Sequence, residues 1–244
     1  MKTKAEALEK IRANIAKYGH HIYVVTGGPN PRFSYTIGLK EVAGVELILA
    51  GASYYSAQEV GVIIDDIAGQ IRKGGDWRKL RYKFGTEGVF SLGKVHDSWS
   101  KRMLLGALDY YKASSIETLQ ILPDARHRTI DAPDLKKPWN AISEPAWQWL
   151  EKDWDYPVPK QSVAVTNLDA LKGKPITEAA RWEEDEWELF AGAGPDVDKA
   201  DVRTVPLGTL MAADRSLEIV TTLDVSQALW RDPADLKWHP WKAG

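Results

Sequence analysis

Four side chains in this sequence are of the types that general acid–base chemistry uses: a histidine, a tyrosine, a threonine and an aspartate. Tyr35 and Thr36 stand side by side in "FSYTIGL" (33–39), two histidines follow Gly19 in "GHHIYVV", and Asp124 closes "TLQILPD". Successive residues of a strand point to opposite faces, so Phe33, Tyr35, Ile37 and Leu39 share one face and Ser34, Thr36 and Gly38 the other. The first face is apolar and is expected to meet the helix capped by Ser56 and Glu59. On the second, a glycine beside a threonine removes bulk where a ligand could approach the backbone, which makes Gly38 a ligand-binding candidate. The neighbouring strand offers His20 or His21, depending on register. If these groups converge, a histidine base, an orienting Tyr35 and Thr36, and Asp124 as the acid or the orienting partner would suit a hydrolase or transferase acting on a small molecule. The same groups could equally form an internal hydrogen-bond network that holds a small core.

Other chemistries find less support. The chain has no cysteine, which excludes disulfides, thiolate catalysis and cysteine zinc sites. His20 and His21 are adjacent on a strand and point apart, and no HxH or HxxxH spacing exists, so no metal site is expected. "TGGPNP" and "FAGAGPD" lack the lysine and the following helix of a phosphate-binding loop, and no cofactor is expected. The run Glu183, Glu184, Asp185 and Glu186 lies between Trp182 and Trp187. It reads as a solvated hairpin turn flanked by two core tryptophans, or as a contact for a cation or a basic partner. A net charge of −2 gives no reason to expect nucleic acid. No apolar run is long enough to span a membrane, and the start lacks a signal-peptide core, so a cytoplasmic location is expected.

The elements that would position these residues follow from periodicity. Leu8, Ile11 and Ile15 predict a first helix that Gly19 stops. Residues 20–26, 33–39 and 45–51 predict three strands with short connections, an antiparallel meander. Ser56 and Glu59 form a capping box before Val60, Ile63, Ile64, Ile67 and Ile71, the apolar face of a second helix. Residues 97–113 predict one helix and 118–124 a strand. Prolines punctuate 125–160, where a wrap and a linker are expected. Strand-like alternation then resumes at 162–167, and 205–223 is expected to be largely helical. The fold class is therefore α+β: two small two-layer domains, 1–140 and 161–244, each a mainly antiparallel sheet packed against helices, joined through 141–160. Most of the eleven tryptophans lie after residue 135. They supply either buried area for two small cores or an aromatic recognition surface.

"YGHHIYVV", "FSYTIGL", "VELILAG", the helix ending in "KGG", "TLQILPD" and "PWN" together resemble, in order and spacing, the bacterial family called domain of unknown function 4262, over roughly residues 8–140. Its Gly-x-His-[Ile/Val] corresponds to Gly19, His21 and Ile22, and its Tyr-Thr-x-Gly-Leu to Tyr35, Thr36, Gly38 and Leu39. Its Gln-Leu-x-x-Pro-Asp ending corresponds to Gln120, Pro123 and Asp124 with one residue fewer. Val45 stands where the family pattern usually has Pro before the glutamate of the third strand. The resemblance implies no established activity. It does imply that His21, not His20, belongs with Tyr35 and Asp124, and it adds Gln120 as a ligand-binding candidate. "GKPI", "EWELFAG" and "DRSLEIV" resemble immunity-protein-33-like domains. Two functions follow as expectations. One is a non-enzymatic binding protein, immunity- or defence-associated, that docks on a protein partner. The other is the small-molecule enzyme described above.

Overall fold

A computed structural model describes residues 4–86 and 88–241. The chain divides into two compact units. The first comprises residues up to Val25, Phe33–His127 and Asp134–Trp139; the second comprises Thr26–Arg32, Arg128–Pro133 and Asn140 onward. Both are α+β, and each carries a six-stranded sheet with a single parallel pairing among antiparallel ones.

In the first unit, α1 (Lys4–Tyr18) ends where Gly19 takes a φ of +81° and its N–H donates to Ile15. The meander β1 (His21–Val25), β2 (Phe33–Ile37) and β3 (Glu46–Ala50) forms as the alternation predicts, with one turn of helix, α2 (Lys40–Ala43), before β3. In α3 (Ala57–Arg72) the Ser56 side chain accepts from Glu59 N–H at 3.2 Å, and Glu59 accepts from Ser56 N–H at 2.7 Å. β4 (Tyr82–Lys83) and β5 (Val89–Lys94) form a hairpin. β6 (Thr118–Pro123) then inserts beside β3, parallel to it, giving the order β1-β2-β3-β6-β5-β4.

Residues 97–113 form two helices instead of the expected one. α4 (Asp97–Met103) and α5 (Leu105–Tyr111) meet at Leu104, whose φ of −92° and ψ of 37° leave the helical region. The break turns the start of α5 onto the sheet, and its Gly106 N–H donates to the Tyr35 hydroxyl at 3.1 Å. An amide at the first turn of a helix has no partner within the helix, and here a side chain from β2 supplies one.

The face of β2 that meets α3 also differs from expectation. Val60, Ile63, Ile64, Ile67 and Ile71 pack with Leu47, Leu49, Leu119 and Ile121. Leu49 pairs with Ser34, so α3 covers the Ser34 face, while Tyr35 on the opposite face meets α5. The apolar face alone could not assign the helix, because β2 is buried along its whole length on both sides.

In the second unit, Trp147 and Trp149 of the 3-10 segment Pro145–Leu150 are buried, and the Trp147 indole N–H donates to Asp131 O at 3.0 Å. The strands are β7 (Val163–Asn167), β8 (Glu178–Arg181), β9 (Glu186–Phe190), β10 (Val202–Pro206), β11 (Ala228–Trp230) and β12 (His239–Pro240), in the order β10-β7-β9-β8-β11-β12. The helices are α6 (Leu168–Leu171) and α7 (Leu207–Ala213), the latter followed by a 3-10 segment, Arg215–Thr222. The stretch expected to be largely helical is so from Leu207, with a break at Asp214, whose side chain caps Ser216 N–H; its first two residues close β10.

Candidate functional sites

The polar groups of β2 close on a residue the sequence reading left aside, Glu46 at the start of β3. Glu46 has no exposed surface. Its Oε2 accepts from the Thr36 hydroxyl at 2.5 Å. Its Oε1 accepts from Gly38 N–H at 3.0 Å, Lys40 N–H at 3.1 Å and the Tyr111 hydroxyl at 2.6 Å. Burial pushes its carboxyl above the ordinary glutamate range although all four donors pull the other way, and burial likewise raises the Tyr111 phenol, with the Glu46 charge adding to it. Thr36 is fully enclosed and also accepts Leu47 N–H at 2.8 Å. Over Gly38, whose φ is +108°, the space is filled by Ile15 of α1: a Cβ there would lie 2.7 Å from its Cγ1. The close approach that Gly38 permits is by the chain itself.

The other predicted residues lie elsewhere. Tyr35 is buried, its ring stacked on Tyr23 at 5.3 Å, and burial raises its phenol well above the usual range. His21 pairs with Ile37 across the sheet, and its Nδ1 lies 2.8 Å from Asn14 Nδ2. Burial lowers its imidazole pKa, with Lys10 and His20 adding to the effect. Gln120 is buried and its Oε1 accepts from Leu135 N–H at 3.1 Å, which holds the 134–139 segment against β6. Asp124 lies beyond the opposite end of the sheet. Through the pairings of Ile37's level with Thr118, it is about six residues, roughly 20 Å, from His21 along the strand direction. His21 and Asp124 do not meet in one cleft.

Asp124 instead pairs with His127, which the reading of the sequence left outside the candidate set. Asp124 Oδ1 lies 2.8 Å from His127 Nδ1, and Oδ2 accepts from Val89 N–H at 2.8 Å. The Val89 amide, and then His127 and the Arg126 amide, hold the Asp124 carboxyl down at about 2. The ring of Tyr54 meets the imidazole edge-on at 4.8 Å. The signal was legible as a histidine three residues after the aspartate in "PDARH".

The second unit carries an open groove. On one face of its sheet Glu188 pairs with Ala180, Ala180 with Ala228, and Glu178 with Trp230. The two alanines form a low floor beneath a cavity of about 470 Å³, walled by Trp182 and Trp241 and by the two glutamates. A hollow of about 510 Å³ adjoins it, shares Glu178 and Trp241, and adds Trp230. These indoles are exposed: 56% for Trp182, 42% for Trp230 and 50% for Trp241. Glu178 Oε2 accepts Gly194 N–H at 2.7 Å. The Trp182 indole N–H bonds Glu188, whose carboxyl burial pushes upward, with the Glu178 charge adding to the rise.

The acidic run forms the β8–β9 turn beside this groove. Glu183, Glu184 and Glu186 are exposed and Asp185 is half-buried. The turn is pinned by Arg181, whose guanidinium donates to the carbonyls of Glu183, Glu184 and Leu223. Only Trp187 is a core residue; Trp182, expected inside, stands in solvent on the open face. The two positions differ because a side chain on a two-sided sheet is buried only where the other elements cover it.

Residues 14–129 match the model of the domain of unknown function DUF4262. The DUF4262 match takes in β1 to β6 and the Glu46, Asp124 and His127 groups, and it ends before the groove of the second unit. Searches of curated proteins and of solved structures returned no match. Among the described residues no helix is long and apolar enough to cross a membrane, and no group of three or more His, Asp or Glu is gathered as metal ligands.

Proposed function

We propose that this is a non-enzymatic binding protein that docks on a protein partner through the open sheet face of its second unit. One observation carries the reading: three exposed tryptophans and two glutamates line two adjoining hollows that share Glu178 and Trp241. Exposed indoles that share a concave surface gain large apolar area on association and supply typical anchors of protein interfaces. The acidic turn, Glu183 to Glu186, adds a negative rim that would speed encounter with a basic surface. An immunity-type role, neutralising a harmful protein by docking on it, is the biological setting this reading favours, and a cytoplasmic site of action is part of it.

The test is capture of a stoichiometric partner from source cells with three proteins. The wild type and His21→Ala retain the same partner, whereas Trp182→Ala/Trp230→Ala loses it. Equal capture by all three would sink the reading. The alternative, a small-molecule enzyme, draws its support from the Asp124–His127 pair, in which the carboxylate leaves Nε2 as the free ring nitrogen for acid–base work. In that case a ligand-induced melting shift would vanish in His127→Ala and persist in the tryptophan variant.

A further inference from the structure

We propose that the groove between Trp182, Trp230 and Trp241 is a guanidinium pocket, which takes an arginine side chain of the partner against the Glu178 and Glu188 carboxylates. The proposal rests on the docking reading above and names the chemistry that the groove selects.

Among the described residues, neither Glu178 nor Glu188 is ion-paired with a lysine or arginine. Each carboxylate has one neutral donor, Gly194 N–H on Glu178 and the Trp182 indole on Glu188. Arg231 borders the hollow beside Trp230, yet it and Arg181 are engaged with other partners. Arg231 donates to Asp214 at 2.7 Å, to Ser216 and to Ile176 O, with its guanidinium 4.2 Å from the Trp238 ring centre. Arg181 lies over Trp187 and binds three backbone carbonyls. Burial pushes the Glu188 carboxyl upward and the nearby Glu178 charge adds to that cost. An incoming cation would relieve it.

Shape selects the cation. A guanidinium is planar and weakly hydrated, stacks on indole faces, and has five N–H groups that can serve two separated carboxylates at once. An ammonium is a compact, strongly hydrated charge that gives up more on entering such walls. The depth comes from Ala180 and Ala228, cross-strand partners where larger side chains would fill the groove.

The probes are N-acetylarginine amide, the matching lysine and citrulline amides, and full-length protein observed through its tryptophan indole N–H signals in 15N spectra. Arginine amide is expected to shift the Trp182, Trp230 and Trp241 signals with millimolar affinity. Lysine amide should bind at least fivefold more weakly and citrulline amide not at all. Glu178→Gln/Glu188→Gln should weaken the arginine probe tenfold or more, and Ala228→Leu, which leaves both charges in place, should block it. An equal response to citrulline, or an unchanged affinity in the glutamine variant, would overturn the proposal. If the tryptophan variants lose the partner while arginine amide leaves the three indoles unmoved, the guanidinium pocket fails and docking stands. If the probe binds and partner capture ignores the groove variants, the pocket stands and docking fails.

Discussion

Glu46 is the residue on which the first unit's polar interior turns. Removing it leaves the buried Thr36 hydroxyl, the half-buried Tyr111 hydroxyl and the Lys40 amide without this acceptor, while Gly38 N–H keeps the Tyr111 oxygen at 2.6 Å; polar groups left unpaired cost free energy. Glu46→Ala should therefore lower unfolding stability by about 3 kcal/mol in urea titrations, more than the usual point mutant. Acidity separates this carboxyl from Asp124. Because burial raises the Glu46 pKa in the folded state, its contribution is fully present below the unfolded value and is lost as pH rises through the folded one. Stability of the wild type measured against Glu46→Gln should thus improve on acidification from neutrality. Asp124 has the opposite sign: held at about 2, it stabilises above the ordinary aspartate pKa of about 3.9 and loses that contribution as pH falls towards 2. Asp124→Asn should flatten the acid limb in that window, by an amount that solvent screening keeps small at this half-open position. Thr36 and Gly38 stood out in the sequence because polar and glycine residues are unusual within an apolar strand. Their partner did not, since a glutamate in "VELILAG" reads as an exposed alternate position until the fold shows it enclosed.

At the level of elements, packing of β2 against α1 and α5 depends on two glycines. A Cβ on Gly106 would lie 2.6 Å from the Tyr35 hydroxyl and 3.4 Å from the Tyr23 ring. Gly106→Ala should push α5 from the sheet and cost on the order of 1–3 kcal/mol, with loss of the near-ultraviolet signal of the stacked tyrosines. Gly38→Ala meets Ile15 and a φ of +108°, so it should destabilise by a similar amount; pairing it with Ile15→Ala should recover the steric part and leave the backbone strain. The strands and the capped α3 were legible because alternation and capping are local. The division at Leu104 and the choice of face for α3 were not, because both are decided by what packs against a strand buried on two sides. The insertion of β6 parallel to β3 likewise depends on distant contacts that no local pattern records.

For the whole molecule, chemistry-bearing residues do not gather where the sequence suggested. His21 and Asp124 belong to opposite ends of one sheet, and Thr36 and Tyr35 are closed to solvent on opposite faces of one strand. The open groove lies in the other unit and is built from tryptophans whose abundance was visible but whose exposure was not. Core and surface indoles have the same signature in a sequence; only cover by neighbouring elements separates Trp187 from Trp182. The most direct test places a photo-crosslinking benzoylphenylalanine, one position at a time, at Trp182, Trp230, Tyr23 and Val42, all of them exposed. Irradiation in source cells should join one and the same partner to the chain from positions 182 and 230, and not from 23 or 42. Crosslinks to a partner from 23 or 42 alone, with none from the groove, would contradict the account.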